Sequence, residues 1–241
     1  MREYKLLGVK VQTLAEYVVK DALHTFLNSD SQHQIVTVNP EFIVATQKDK
    51  KFLTVINEAS LATIDGNGII KALQFMGHHV SLDDRITGAD LTELMIELAS
   101  RENYKILFIM KSDGLTKPED LFMIIKSKYP QLEFRTADEN TAIEKARIFF
   151  PRLAIVGLGA PYQDFWIWEN LPKMPTVKVA VGVGGSLDFI SGKQKRAPKI
   201  WRSLGLEWFW RLIKQPWRIT RIWRAVFVFS SLVIRYKIKH Q

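Results

Sequence analysis

One acidic residue, Asp65, has the surroundings that carboxylate chemistry needs. It follows the apolar run 61–64 and begins the glycine-rich stretch DGNG (65–68). Glycines let a substrate come close to the backbone, and a carboxylate in such a place can act as a general base. Asp-Gly and Asn-Gly are also ordinary turn dipeptides. The sequence around Asp65 therefore indicates either a catalytic base or a turn.

Two further glycine-rich stretches follow apolar runs, GLGAPYQDFW (157–166) and GVGGSLD (182–188). The dinucleotide-binding pattern requires a third glycine, and Tyr162 and Leu187 occupy those positions. The chain also lacks a phosphate loop of the form GxxxxGK followed by Ser or Thr. Gly-x-Gly between a strand and a helix can still present backbone N–H groups to an anion, although it is equally typical of a tight turn. Both interpretations stay open.

No set of residues in the sequence indicates a metal or a redox cofactor. The chain has no cysteine, which excludes disulfides and thiolate metal sites. The adjacent His78 and His79 would point apart on a regular helix or strand, and no Asp-x-Asp pair occurs. If the substrate carries a diphosphate, arginine must supply the positive charge. Its planar guanidinium suits that task because it donates two hydrogen bonds to one phosphate.

Alternating strands and helices must position these residues. The apolar runs predict strands at 4–9, 34–38, 61–64, 105–110, 132–136, 152–158 and 177–183. Because helical patterns separate these runs, the strands must pair in parallel, and we predict an α/β fold with a Rossmann-like, mostly parallel sheet and helices on both faces. Ligands of such sheets lie beyond the carboxyl ends of the strands. Asn39, Asp65 and both glycine-rich stretches fall at those ends.

The C-terminal part of the chain differs from the rest in charge and in aromatic content. Residues 193–241 contain 13 Lys and Arg against one acid and carry a net charge of +12, whereas residues 1–192 carry −3. Five of the seven tryptophans also lie there. We predict an α/β core at 1–192 and a basic, Trp-rich helical appendage at 193–241. Such a segment indicates a phosphate-rich partner, namely nucleic acid, an anionic membrane surface or a diphosphate substrate, or else a face of solvated charge.

The last helix of this appendage has an apolar stripe. Its members recur at steps of three and four residues and are Ile219, Ile222, Val226, Phe229 and Val233. The most apolar run, 225–234, would extend only about 15 Å as a helix, which is about half of a bilayer core. We expect it to lie on a membrane or on its own domain without crossing. The N-terminus has no signal-peptide pattern, which favours a cytoplasmic protein.

Five stretches together resemble the WecG/TagA/CpsF family of bacterial glycosyltransferases. They are TVNPEF (37–42), IDGNGI (64–69), DRITGADL (84–91), GLGAPYQDFW (157–166) and the run 182–218, which contains GVGGSLDF, RAPKIW and LGLEWFWR. They cover most of the chain in the family's order. Three motifs are specific, because chance would not place them at these distances: GLGAPYQDFW (157–166), DFISGKQKRAP (188–198) and LGLEWFWR (204–211).

The resemblance implies a reaction and its partners. It implies an inverting enzyme, independent of metals and cofactors, that moves N-acetylmannosamine or a related sugar from a UDP-sugar to undecaprenyl-diphosphate-linked N-acetylglucosamine. The product would enter teichoic acid, common antigen or capsule. It further implies a peripheral protein on the anionic inner face of the plasma membrane, with no nucleic-acid partner. In this family Asp65 would be the general base that deprotonates the acceptor hydroxyl.

The same resemblance implies which residues bind substrate, and those are Thr37, Asn39, Arg85, Gln163, Arg211, Arg218, Arg221 and Arg224. The arginines of the appendage would close over the site and stabilise the diphosphate leaving group. Departures from the family pattern at Ile86-Thr87 and Gly185-Ser186 leave the donor open to UDP-N-acetylmannosaminuronic acid or a UDP-hexose, and Tyr162 in place of a usual lysine argues against a charge at that position.

Two other function classes would each explain only part of the sequence. A nucleic-acid-binding α/β protein with a basic aromatic tail would explain the charge, but not Asp65 or the glycine-rich stretches. A reductase with a degenerate dinucleotide site would explain the glycines, but lacks the third glycine of each pattern.

Overall fold

The computed structural model describes residues 1–198, 200–201 and 205–239, and an eight-stranded sheet is its centre. The strands are β1 (Arg2–Leu6), β2 (Val9–Thr13), β3 (His33–Val38), β4 (Leu61–Ile64), β5 (Ile106–Met110), β6 (Phe134–Asp138), β7 (Leu153–Gly157) and β8 (Val179–Gly182). Their order across the sheet is β1-β2-β4-β3-β8-β7-β5-β6. β1 and β2 are antiparallel, and the other neighbouring pairs are parallel. The prediction of a mostly parallel α/β sheet is confirmed.

Helices cover both faces of this sheet. Those of the first 192 residues are α1 (Glu16–Leu27), α2 (Pro40–Thr46), α3 (Lys50–Glu58), α4 (Asn67–Phe75), α5 (Gly88–Glu102), α6 (Pro118–Lys128), α7 (Ala142–Phe149), α8 (Tyr162–Asn170) and α9 (Ser186–Ile190). The two-residue period of the strands divides the core between the faces. In β5, Phe108 lies in the cluster formed with α1, α5 and α6, whereas Leu107 and Ile109 lie in the cluster formed with α7 and α8. This is why the central strands are apolar at nearly every position.

The N-terminal strand prediction was wrong. The single strand expected at 4–9 is a hairpin, in which β1 and β2 are joined at Leu7 and Gly8, with φ of 50° and 84°. Two consecutive residues with positive φ fit the tight turns that match the twist of paired strands. A leucine is an unusual residue for such a turn, so the apolar pattern continued through it without a visible break.

The described residues after 204 form a segment that we call the C-terminal arm (205–239). Its parts are a helix at Glu207–Lys214, a short 3-10 turn at Pro216–Arg218, a helix at Ile219–Trp223, a π-helical turn at Arg224–Val228 and a helix at Phe229–Lys239. Among the described helices, none is long and apolar enough to cross a bilayer.

The apolar stripe predicted on the arm is only partly buried. Ile222, Phe229 and Val233 are buried, but Ile219 is 51% exposed. Ile219 is the first residue of its helix and directly follows the 3-10 turn at Pro216–Arg218. Phe229 and Val233 belong to the same apolar cluster as α2 and α4. The arm thus packs against helices of the first 192 residues. The division into a core at 1–192 and an appendage at 193–241 stays a prediction.

Candidate active site

The carboxyl ends of four parallel strands meet at one edge of the sheet. Val38 of β3 pairs with Ile64 of β4, and Gly182 of β8 pairs with Val36 and with Val156 of β7. Two cavities open there. The Asp65 cavity, of about 580 Å³, lies between the Asp65 loop and the C-terminal arm, and the glycine-loop cavity, of about 420 Å³, lies over the loops after β7 and β8.

The two cavities meet at a common boundary. Asn39 and Arg221 line both of them. Thr37 and Gln163 line the glycine-loop cavity, and Asp65 and Arg85 line the other. The structure thus brings together side chains that the sequence analysis selected from distant parts of the chain.

Asp65 is half-buried and is held by backbone hydrogen bonds on both sides. Its N–H donates to the carbonyl of Val38 at 2.7 Å, which extends the ladder between β3 and β4. Its Oδ2 accepts from the N–H of Gly88 at 3.2 Å, at the start of α5. The positive end of that helix favours the ionised carboxylate. Asp65 is therefore fixed in direction, as a general base must be.

A capping network surrounds the start of α5 and connects it to Arg196, the first residue of RAPKIW (196–201). Thr87 Oγ1 accepts from the N–H of Asp90 at 3.2 Å and donates to its Oδ2 at 2.6 Å. Arg196 Nη2 donates to Asp90 Oδ1 at 2.7 Å and to Thr87 Oγ1 at 3.0 Å. Burial raises the pKa of Asp90, but the hydrogen bonds from Thr87 and Arg196 outweigh it and hold that pKa below its ordinary value. Arg196, which the sequence analysis did not select, thus supports the helix end that Asp65 contacts.

Thr37 and Asn39 line the cavities and also make hydrogen bonds that hold the fold together. Thr37 Oγ1 donates to the carbonyl of Gly182 at 3.0 Å and ties β3 to β8. Asn39 caps α2, since its Oδ1 accepts from the N–H of Phe42 at 3.2 Å. A cap of this kind is the reason that an asparagine followed by proline begins a helix.

Gln163 links the two glycine-rich loops. It is 1% exposed, and its Oε1 accepts from the N–H of Gly184 at 2.8 Å and from that of Gly159 at 3.2 Å. Both glycines have positive φ, 54° and 83°. These two N–H groups donate to the Gln163 side chain and are not presented to an anion, and the loops form tight turns. A contact of Gln163 with substrate stays a prediction.

Asp164, next to Gln163, is a buried acid that the sequence analysis missed. It is 0% exposed, and neither carboxyl oxygen has a hydrogen-bond partner among the described residues. Burial raises its pKa to about 8. A Cβ at Gly182 would lie 2.7 Å from both Asp164 Oδ1 and Gln163 Nε2, so that only glycine fits there. The available signal was its place in GLGAPYQDFW, directly between Gln163 and the apolar run 165–168.

Only some of the predicted basic residues line the two cavities. Arg85 lines the Asp65 cavity, and Arg221 lines both cavities while its Nη2 lies 2.7 Å from Glu41 Oε2. Arg224 is exposed and is not among the residues that line either cavity. The side chains of Arg211 and Arg218 lie outside the described part of the structure.

Three charged residues at the Asp65 cavity were not selected from the sequence, namely Lys71, Glu41 and Glu207. Lys71 on α4 lines the cavity, and Glu41 on α2 both lines it and pairs with Arg221. Lys71 lies one helical turn after the DGNG stretch, and Glu41 lies inside TVNPEF. Their positions in these motifs were the available signal, but only the folded chain shows which face they occupy.

Gly205 brings the C-terminal arm against the Asp65 loop. It has φ of 69°, and a side chain at this position would overlap Asn67. Gly205, Glu207 and Trp208 form part of the cavity wall. The LGLEW motif therefore contributes the wall opposite Asp65.

The arrangement is suited to transfer onto a hydroxyl group. A fixed carboxylate can take the proton, and the basic side chains of Arg85, Lys71 and Arg221 can bind anionic groups of the substrates. Within the described ranges, no three His, Asp or Glu side chains cluster as a metal site requires. Independence from metals stays a prediction.

Comparison with known proteins gives a consistent result over nearly the whole chain. Curated relatives from Staphylococcus aureus strains MW2, MRSA252 and NCTC 8325 / PS 47 are each 28% identical to it over 244 residues, covering 97% of this chain and 93% of the relative. Each is named N-acetylglucosaminyldiphosphoundecaprenol N-acetyl-beta-D-mannosaminyltransferase. The family model described as "Glycosyl transferase WecG/TagA/CpsF family" matches residues 4–241. The chain is therefore a glycosyltransferase and belongs to the WecG/TagA/CpsF family.

Proposed function

We propose that this enzyme transfers N-acetylmannosamine from a UDP-sugar to N-acetylglucosamine linked to undecaprenyl diphosphate. The observation that carries the proposal is the fixed carboxylate of Asp65, which shares a cavity with Arg85 and Arg221. The names of the Staphylococcus aureus relatives support the acceptor and the sugar. The product would enter a cell-surface polymer such as teichoic acid, common antigen or capsule.

The donor fits the glycine-loop cavity and the acceptor fits the Asp65 cavity. The first of these is lined by polar groups that a nucleotide can use, among them Lys111, Thr116, Asp188 and Gln194. The second contains the base. Since Asn39 and Arg221 lie on the boundary, the anomeric carbon and the acceptor hydroxyl would meet beside them.

In the proposed reaction Asp65 takes the proton of the acceptor hydroxyl as the oxygen attacks the anomeric carbon. The bond between that carbon and the UDP oxygen breaks on the opposite face, so the configuration inverts. Negative charge then grows on the departing diphosphate. Arg221 is placed to stabilise it once it exchanges Glu41 for phosphate, and such a fixed cation typically lowers a barrier by ~3 kcal/mol.

Membrane association is part of the same proposal. The arm exposes a row of large apolar side chains, which we call the exposed stripe: Trp223, Phe227, Ile234 and Ile238. Trp223 and Phe227 contact each other at the π-helical turn, with ring centroids 4.4 Å apart, and Ile234 and Ile238 lie one turn apart on the last helix. Together with the +12 charge of residues 193–241, the exposed stripe is suited to lie on an anionic bilayer. We propose a peripheral position on the inner face of the plasma membrane.

The test is UDP release from a panel of donors with one short-chain, lipid-diphosphate-linked N-acetylglucosamine acceptor. UDP-N-acetylmannosamine is expected to support transfer, and reactions without acceptor are the control. Its epimer UDP-N-acetylglucosamine, UDP-N-acetylmannosaminuronic acid and a UDP-hexose complete the panel. Transfer from one of these in its place would overturn the proposed donor, and the absence of transfer from every donor would overturn the proposed reaction.

A further inference from the structure

Beyond Asp65, the Asp65 cavity continues as an apolar groove between α4 and the C-terminal arm. The two walls run side by side in the same direction. Phe229 lies against the start of α4, where a Cβ at Gly68 would be 3.7 Å from its ring, and the ammonium of Lys237 lies 4.2 Å from the ring centre of Phe75 at the end of α4. The apolar residues that line the groove are Ala72, Phe75, Ile222, Ala225, Val226, Phe229, Val233 and Ile234.

The groove is polar at one end and apolar at the other. Arg85, Lys71 and Arg221 lie at the end where Asp65 is found. Phe75 and Ile234, which are 47% and 48% exposed, lie toward the other end. The arm residues from 222 to 234 would extend over about 18 Å at 1.5 Å per residue. This distribution fits a ligand with an anionic head and a long apolar chain.

The apolar end of the groove is continuous with the exposed stripe. Ile234 belongs to both, since it lines the groove and is also one of the exposed side chains of the arm. A chain that leaves the groove at this residue would therefore emerge on the surface proposed to lie on the membrane. Its charged head would at the same time remain beside Asp65.

We propose that this groove binds the first isoprene units of the acceptor lipid and leads them from the bilayer surface to the catalytic end. The inference rests on the proposed function for the identity of the lipid. Burial of an apolar chain is favourable in proportion to the area removed from water. Affinity should therefore rise with chain length until the groove is filled and should then level off.

The binding test uses detergent-free solutions of methyl, geranyl and farnesyl diphosphate with the full chain, followed by isothermal titration calorimetry. Ser230 lines the groove and Ser231 does not, and both side chains are exposed. Ser230→Phe and Ser231→Phe thus add the same ring to adjacent positions of the last helix. For the wild type and Ser231→Phe, we expect Kd to fall at least tenfold from methyl to farnesyl diphosphate, and for Ser230→Phe less than about threefold. Equal chain-length dependence in the two variants would overturn the proposal.

A further probe separates an isoprenoid from a phospholipid acyl chain. Dodecyl diphosphate has an unbranched and more flexible chain, which buries less surface and loses more rotational freedom on binding. We expect it to bind at least threefold more weakly than farnesyl diphosphate. Equal affinity would overturn the choice of an isoprenoid as occupant.

Failure of this inference can be told from failure of the proposed function. Binding of farnesyl diphosphate needs neither a donor nor sugar transfer, so it tests the groove even if no UDP-sugar is used. With a working donor, the ratio of kcat/KM for farnesyl-linked over methyl-linked acceptor should drop at least fivefold in Ser230→Phe and not in Ser231→Phe. Transfer with an unchanged ratio in Ser230→Phe would overturn the groove assignment and leave the reaction intact.

Discussion

At the scale of single residues, the site depends on two acids in opposite environments. Asp65 is half-buried, accepts from the N–H of Gly88 and faces a cavity with basic residues. Asp164 is fully buried and without a hydrogen-bond partner among the described residues. The start of α5 is a favourable neighbour for a carboxylate at Asp65, whereas burial raises the pKa of Asp164 to about 8.

Replacement of Asp65 by Asn tests the general base. The amide keeps an oxygen that can accept from Gly88 but cannot take a proton, so kcat should fall about 10²- to 10⁴-fold. UDP affinity, measured by calorimetry, should stay within about threefold because the carboxylate faces the other cavity. Retained transfer by Asp65→Asn would refute its role as the base.

Replacement of Asp164 by Asn tests its raised pKa. The folded chain keeps the Asp164 proton up to a pH of about 8, whereas the ordinary value is 3.8. Between these values the unfolded chain releases the proton first, so wild-type stability decreases as the pH rises, by up to about 1.4 kcal/mol per unit. We expect the Tm of Asp164→Asn minus that of the wild type to grow from pH 5 to pH 8.

The control for this experiment is Asp113→Asn, because Asp113 is exposed. Its Tm difference from the wild type should not depend on pH over the same range. A constant difference for Asp164→Asn as well would show that Asp164 titrates normally in the folded protein.

At the scale of elements, the site is assembled from loops after five strands and from the C-terminal arm. Two contacts fasten the arm to the loops. Arg221 pairs with Glu41 at the start of α2, and Gly205 lies against Asn67 at the start of α4. The Arg221 pair is half-exposed and contributes little to stability by itself. The close approach of the Gly205 backbone to the Asn67 side chain therefore matters more for the position of the arm than the Arg221–Glu41 pair does.

Replacement of Gly205 by Ala tests this contact, and Gly192→Ala is a matched control. Both glycines have positive φ, 69° and 71°, but a Cβ at Gly192 meets no atom within 4 Å whereas one at Gly205 overlaps Asn67. Each variant pays the left-handed strain of about 1 kcal/mol. Only Gly205→Ala must also displace the Asn67 side chain, which lines the Asp65 cavity, so we expect it to lower kcat/KM at least tenfold more than Gly192→Ala. Equal losses in the two variants would contradict a wall built on this contact.

At the scale of the whole molecule, the charge is unevenly distributed, since residues 1–192 carry −3 and residues 193–241 carry +12. The exposed stripe and the +12 charge of residues 193–241 lie in one stretch of chain. Such a surface binds anionic membranes through apolar insertion and charge attraction together, and added salt weakens the second contribution.

The double variant Trp223→Ala, Phe227→Ala tests the exposed stripe. These side chains are 56% and 57% exposed, so their removal should leave the fold intact. We expect binding to phosphatidylglycerol-containing vesicles, measured by sedimentation, to weaken at least tenfold. Ile148→Ala removes an apolar side chain that is 71% exposed on α7 and should bind as the wild type does. Unchanged binding by the double variant would place the membrane contact elsewhere.

The sequence by itself determined the fold class and the edge of the sheet where the site lies. Apolar runs separated by helical patterns require parallel strands, and parallel strands bring their carboxyl ends to one edge. Asp65, Asn39 and both glycine-rich stretches were found in this way. Local pattern was sufficient for them because each follows its own strand directly.

Only the tertiary structure decided which groups work together. The Arg221–Glu41 pair joins residues 180 positions apart, and the bond from Gly184 to Gln163 crosses 21 positions. The burial of Asp164 likewise depends on how α8 lies over β8. No local periodicity encodes such contacts, since they follow from the packing of elements whose separation in the chain is unrelated to their separation in space.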